Sequence, residues 1–356
     1  MTGLDRRTLF KAGAVTIGGL AAPLALEGTL VAADARPTKG KTLAGGLRVP
    51  WGLAFLPDGN ALVAERISGR IHRVSRKGGR KRVGRIRNVR NNAGEGGLLG
   101  LAVSPTFRDD HWVYAFYSAP GKNRIVRMRY KGGRLRKTRI VLDDIPQGNI
   151  HNGGRLAFGP DGMLYASTGD TGNSSLAQNL SSLGGKILRL TPEGGVPSGN
   201  PFDSYVWSYG HRNVEGLAFD RNGALWATEF GASDSDELNR IVKGDNYGWP
   251  AVEGRGAGVD YHDPFVTWSP TSTCSPSGVA VVNGRAFVGA LAGKSLYAVN
   301  LRGKRKKRIV RYFRGDFGRI RTVERAPDGS LWITTSNRDG RGNPGKGDDK
   351  VIRIDL

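Results

Sequence analysis

One pattern of apolar and polar positions recurs from about residue 47 to the end of the chain. A small residue opens it, then come a short apolar run, a tight turn, and a second apolar run ending in polar residues. It reads GLAFLPDGNALVAER from Gly52 to Arg66, RLAFGPDGMLYASTGD from Arg155 to Asp170 and GLAFDRNGALWATEFG from Gly216 to Gly231. It returns as GVAVVNGRAFVGAL from Gly278 to Leu291 and TVERAPDGSLWITTS from Thr322 to Ser336. The stretch from Gly97 to Ser118 is a looser copy with a longer turn. Apolar alternation on both sides of a Pro-Asp-Gly or Asn-Gly turn predicts antiparallel strand pairs. The turns fall at Asp58, near Asp109, and at Asp161, Asn222, Asn283 and Asp328, roughly 45 to 61 residues apart. That spacing suits the blade of a propeller, not the shorter unit of a helical solenoid. Six copies predict an all-β, six-bladed β-propeller whose loops on one face build the site. No sustained helical periodicity follows the first 35 residues. Residues 173–204 and 244–273 are irregular and are expected to be long connections, where function tends to concentrate.

The N-terminus follows a different logic. Asp5-Arg6-Arg7-Thr8-Leu9-Phe10-Lys11 precedes an uncharged apolar run from Ala12 to Leu26, and small residues at Ala33-Asp34-Ala35 offer a cleavage site. This is the layout of a twin-arginine export signal over residues 1–35, leaving 36–356 as one propeller domain exported to the periplasm, cell envelope or exterior. The single cysteine, Cys274, excludes an intrachain disulfide and a cysteine-based metal cluster, and reads as a buried thiol.

The formal charge is +23, from 54 Lys and Arg against 31 Asp and Glu. Residues 1–35 carry three of each sign, so the remainder holds the same excess. Such a balance fits an anionic cell-envelope surface or an anionic cofactor in a basic funnel. Nucleic acid is disfavoured, because the basic stretches from Arg70 to Arg90, Lys122 to Arg139 and Arg302 to Arg314 interleave with Gly and not with stacking aromatics.

Candidate chemistry lies at the strand tips. His151 opens the run HNGG, where glycine lets a backbone approach a ligand closely. The run from Ser208 to Asn213 also precedes a repeat and should reach the same face. Glu229, Asp234, Asp236, Glu237 and Asn239 form an acidic loop followed by Asn246-Tyr247-Gly248-Trp249-Pro250. That set reads either as a solvated surface loop or as a site for an oxygen-preferring cation such as Ca2+. Lys294, Arg319 and Arg321 would add positive charge beside it, which calls for a strongly anionic ligand. Two other readings share these residues: a calcium-dependent, lactonase-like propeller hydrolase, and a non-catalytic envelope-binding propeller. The first would gather carboxylates around its ion where this chain gathers cations, and the second needs no positioned histidine.

In order and spacing, WGLAFLPDG, LVAER, GEGGLLGLAVSP, HNGG, GGKILRL, YGHRNVEGLAF, DELN, NYGWP and RIRTVERAPDGSLWI resemble the soluble aldose and glucose dehydrogenases that depend on pyrroloquinoline quinone (PQQ), a family that includes sorbosone dehydrogenase-like proteins. The resemblance runs from Leu47 onward. It implies oxidation of aldose sugars to lactones, with PQQ and Ca2+ as cofactors and an external electron acceptor as partner. It casts His151 as general base and Arg212 as the group that steadies charge on the quinone oxygen. Glu65, Asn213, Lys294, Arg319 and Arg321 match cofactor contacts. The carbonyls of Gly231 and Ala232 match ligands of the cofactor's calcium, and Glu237 and Tyr247 match part of a second calcium site. Ile150 stands where the glucose enzymes carry an acid, which leaves the orientation of His151 open. The segment from Glu253 to Ala257 lacks, at its far end, the carboxylate that would complete the second site, and the long loops of the glucose enzymes are absent.

Overall fold

A computed structural model describes residues 36–90, 94–256, 258 and 260–356, so the export signal expected over residues 1–35 lies outside the described residues. The described chain forms six four-stranded antiparallel sheets. Each begins with the inner strand of one repeat: Pro50–Phe55, Leu98–Val103, Leu156–Phe158, Val214–Phe219, Pro276–Val282 and Ile320–Arg325. In five blades the tight turn after that strand falls where the turn residues predict it. In the second blade a four-residue helix, Phe107–Asp110, replaces the turn. The last blade takes its outermost strand from the other end of the chain. Thr38–Ala44 pairs with Val351–Asp355, setting Thr38 against Asp355 and Ala44 against Val351.

The strands read as nearly continuous apolar runs because both faces of each blade are covered. Six buried clusters fill the six spaces between adjacent blades. Successive residues alternate between them: Leu62 and Ala64 face the second blade, whereas Ala61 and Val63 face the sixth. Strand length accounts for a difference from the sequence expectation. Residues 173–204 and 244–273 are not purely irregular; they contain the blade strands Lys186–Leu190 and Val266–Trp268. Those strands are too short to show a period. Cys274 is buried and unpaired, and burial pushes its thiol well up.

The inner strands meet tightly around the axis. Gly52, Gly100, Gly216 and Gly278 hold equivalent places on four of them, and a Cβ at any of these would collide with a neighbouring inner strand or with the strand behind. At the same level the third and sixth strands carry Arg155 and Thr322 instead. Arg155 is buried; its Nε donates to the Glu215 carbonyl at 2.8 Å and its two terminal nitrogens reach Thr322 Oγ1 at 3.3 and 3.4 Å. The guanidinium also lies 4.1 Å from the centre of the Trp51 ring. One side chain thereby ties the third blade to the fourth, sixth and first. Burial lowers its pKa to about 10, so it remains charged at neutral pH. Two residues further along each strand, Ala54, Ala102, Ala157, Ala218, Ala280 and Glu324 line the opposite mouth of the channel.

Arg155→Ala should therefore destabilise the chain by roughly 2–4 kcal/mol, since it orphans the Glu215 carbonyl and leaves a cavity on the axis. The midpoint of urea unfolding measures this, and an unchanged midpoint would remove Arg155 from the account of how the ring is held.

Candidate active site

At the end of the channel where the inner strands begin lies a cavity of about 350 Å3. Arg66, Arg321 and Arg341 line it with Glu95, Glu215 and Asp339, and Ile150, Phe230 and Leu291 supply apolar wall. His151 stands beside it on the loop leading into the third blade. The histidine backbone is left-handed, with φ 53°, a conformation most side chains avoid. It is fixed from both sides: its N–H donates to Glu95 Oε2 at 2.9 Å, and its carbonyl accepts from Thr171 at 3.2 Å. Gly169 runs so close beneath that any Cβ there would collide with the His151 carbonyl.

Asp170 orients the imidazole. Its Oδ1 lies 2.7 Å from His151 Nδ1, and the carboxylate also accepts from the Gly172 amide and from Trp249 Nε1, each at 2.8 Å. Burial works to raise the Asp170 carboxyl, but the hydrogen bonds from His151, Gly172 and Trp249 overcome it and hold it below the usual range. An ionised Asp170 fixes the proton on His151 Nδ1 and leaves Nε2 as the basic nitrogen. The missing acid at position 150 is thus not needed to orient this histidine.

Trp249 joins this pair to Arg212, whose guanidinium lies 5.4 Å from the indole centre and donates to the Phe230 carbonyl at 3.2 Å. Asn213 braces the histidine loop by accepting the Gly153 N–H at 3.0 Å. Arg212 Nε, Asn213 Nδ2 and Arg66 Nε are all buried without a hydrogen-bond partner. Three orphaned donors beside one cavity mark a place where an acceptor-rich ligand is missing. Burial and the nearby charge of Arg321 lower Arg66 to about 10. These cations are crowded enough to repel one another, and an anion would relieve them.

Arg319 and Arg321 are held as a pair by Asp339, at 3.0 and 3.4 Å, while Glu215 takes Arg321 at 2.6 Å. Arg321 faces the cavity. Arg319 and Lys294 line an adjoining cleft of about 370 Å3. Glu65 turns into its own blade: its carboxylate accepts from Ser68 and the Arg48 amide, with His72 and Arg80 alongside. Burial acts to raise it, but those donors bring it down to about 2. The neighbouring Arg66, and not Glu65, lines the cavity.

The loop that contains Gly231 and Ala232 wraps one carboxylate oxygen. Glu253 Oε1 accepts N–H groups from Ala232, Ser233, Asp234 and Ser235 at 2.7 to 3.0 Å. Among the described residues, neither the Gly231 nor the Ala232 carbonyl accepts a hydrogen bond, so this donor set suits a hard cation. Glu237 is buried and accepts from Gly254 and Asn239, both at 2.9 Å. Tyr247 commits its hydroxyl to Arg240 and Val242. Among the described residues, no group of three His, Cys, Asp or Glu side chains converges as a metal site. Behind Arg212, Ser208, His211 and Glu229 are linked by two 2.9 Å hydrogen bonds in the geometry of a hydrolytic triad. His211 and Ser208 are fully buried, however, and His211 is stacked on Tyr247 at 4.6 Å, which closes it to any substrate.

The sequence reading missed Asp170, Trp249, Glu95, Asp339 and Arg66. All five lie inside quoted motifs or next to the last repeat, Trp249 in a long connection and the others near strand tips; their polarity was visible there, but which of these places meet was not.

The family model for glucose / sorbosone dehydrogenase matches residues 47–343. The PQQ-bound aldose sugar dehydrogenase of Streptomyces coelicolor superposes with a TM-score of 0.87 at 47% identity, covering 91% of this chain and 98% of that one. Escherichia coli aldose sugar dehydrogenase YliI is 31% identical over 332 residues, covering 82% of this chain and 88% of its own. Quinoprotein glucose dehydrogenase B of Acinetobacter calcoaceticus is 34% identical over 251 residues, covering 60% of this chain and 52% of its own.

The loop holding Gly231 also sets a pH dependence. Burial pushes the Asp236 carboxyl up to about 7, although Ser275 and Gly231 donate amides to it. Above its unfolded pKa near 3.8 the folded chain retains a proton that the unfolded chain has released. The stability this confers is present at low pH and is lost as pH rises through about 7, at up to about 1.4 kcal/mol per pH unit. Denaturant unfolding of the calcium-free protein at pH 5 and pH 8 should show the decline, and Asp236→Asn should flatten part of it. Equal slopes in the two proteins would assign the pH dependence elsewhere.

Proposed function

The chain belongs to the glucose/sorbosone dehydrogenase family and is a quinoprotein oxidoreductase, and on that premise we propose that it oxidises the anomeric hydroxyl of aldose sugars to lactones with PQQ and calcium at the channel mouth. The observation that carries the reading is a histidine locked by a buried carboxylate, next to a cavity that Arg66 lines and Arg212 adjoins with orphaned cationic donors. His151 Nε2 takes the proton from the sugar's C1 hydroxyl as the C1–H bond breaks. Asp170 keeps that nitrogen basic and stabilises the imidazolium that forms, and Glu95 holds the loop beneath. Bound PQQ supplies the quinone that accepts the hydride, and bound calcium supplies the Lewis acidity that makes the quinone electron-poor.

Arg212 is the residue to steady negative charge as it develops, because its Nε has no other partner. Arg66 and Arg321, with Arg319 and Lys294 in the adjoining cleft, suit the cofactor's carboxylates. Asn213 offers its orphaned amide, and the Gly231 and Ala232 carbonyls offer oxygen to calcium. Electrons then leave to an external acceptor, and the N-terminal export signal would put the reaction outside the cytoplasm. The calcium-dependent hydrolase reading is less favoured, since the carboxylates of the cavity, Glu95, Glu215 and Asp339, are each paired with an arginine and not gathered around an ion, and the Ser208, His211 and Glu229 array is buried between the third and fourth blades.

Purified protein given PQQ and calcium should reduce an artificial dye in the presence of aldoses. No reduction across a broad aldose panel, with PQQ demonstrably bound, would sink the sugar assignment. His151→Gln should abolish turnover while PQQ absorbance still reports binding. Asp170→Asn should lower kcat by about 10²- to 10⁴-fold with PQQ affinity little changed; an unaltered kcat would mean that His151 acts without it.

A further inference from the structure

Away from the channel, the outer strands of the first and second blades, Arg80–Arg85 and Arg134–Ile145, flank a groove of about 550 Å3. Lys81, Arg82, Arg85, Arg87 and Arg134 line it with Val83 and three glycines, and no acidic residue takes part. All five cations are exposed, and among the described residues none is paired with a carboxylate; Arg85 alone makes a hydrogen bond, to the Ser68 carbonyl. Protection of a bare sheet edge does not require this many charges. The outer strands of the third and fourth blades, Val206–Tyr209 and Val266–Trp268, are equally placed at an edge and contain no Lys or Arg.

We propose that this groove binds a linear phosphodiester polymer of the cell envelope. Lys81 and Arg85 stand four residues apart on an extended strand, about 13 Å, more than a single phosphate spans. Five unpaired cations in one groove therefore match a run of phosphates and not a single anion. A base-reading site would need an open aromatic face. No aromatic side chain lines this groove. Stacking is thus closed off, and charge is the only readout the groove provides. The export layout of residues 5–35 puts the polymer on the far side of the membrane. The proposal does not rest on the dehydrogenase reading, because no residue of the groove lines the channel cavity.

The test is titration of the full chain, without PQQ or calcium, with poly(glycerol phosphate) and with a single-stranded oligonucleotide of equal charge. Poly(glycerol phosphate) should bind with log K falling against log salt at a slope of about 3 to 4, as five phosphate contacts imply. Arg82→Glu, Arg85→Glu and Arg134→Glu together should weaken it by about tenfold or more at low salt. A control triple, Lys304→Glu, Lys306→Glu and Lys307→Glu, changes the net charge equally at the fifth blade and should retain the binding. Circular dichroism of each variant reports whether it is folded. Equal losses in the two triples would show that overall charge, not the groove, attracts the polymer, and would overturn the proposal. Markedly tighter binding of the oligonucleotide would overturn it in favour of nucleic acid.

Discussion

The structure depends on how closely six strands can approach one axis. At one level of the channel four positions must be glycine, because the neighbouring backbones leave no room for a Cβ. The remaining space is filled by a single guanidinium, Arg155, which satisfies a carbonyl of the fourth blade and a hydroxyl of the sixth while stacking on a tryptophan of the first. Burying a charge there is tolerated because its donors find acceptors and an aromatic face. It divides the channel into two chambers of unlike character. The chamber above is lined by paired arginines and carboxylates; the funnel below is lined by alanines and by Glu324, whose carboxyl burial pushes up to about 7.

The upper chamber is an arrangement of charges before it is a catalytic site. Asp339 and Glu215 keep Arg319 and Arg321 at fixed positions, so little reorganisation is needed when an anion arrives. Arg66 and Arg212 keep donors that no group among the described residues satisfies. The His151 loop uses the same device in reverse: a strained backbone is held by Glu95 and Thr171, and the ring is held through Nδ1 by Asp170.

Much of this was legible in the chain. Turn residues and the apolar runs around them marked the inner strand of every blade, and HNGG placed His151 on the mouth of the channel. Outer strands such as Val206–Tyr209 and Val266–Trp268 were not legible, because runs of three or four residues are too short to carry a period. Asp170 was in view at the end of STGD, yet its role depends on two strand tips meeting, which no local pattern encodes. Glu65 shows the converse. A polar residue at a strand tip can turn into its own blade, and pattern cannot tell this from facing the channel.

The pairing of Thr38–Ala44 with Val351–Asp355 joins residues more than three hundred positions apart. The sixth blade therefore cannot be completed until the end of the chain has been made, and the ring stays open on one side during synthesis. Contacts of such separation are entropically costly to form and slow to find. Once made, they bind Thr38–Ala44 and Val351–Asp355 into one cooperative unit, so fraying of either strand opens the same seam. Loss of the last six residues would remove a strand from the middle of a sheet and strand Thr38–Ala44 without a partner, exposing the apolar layer between the sixth and first blades that includes Trp332 and Leu53.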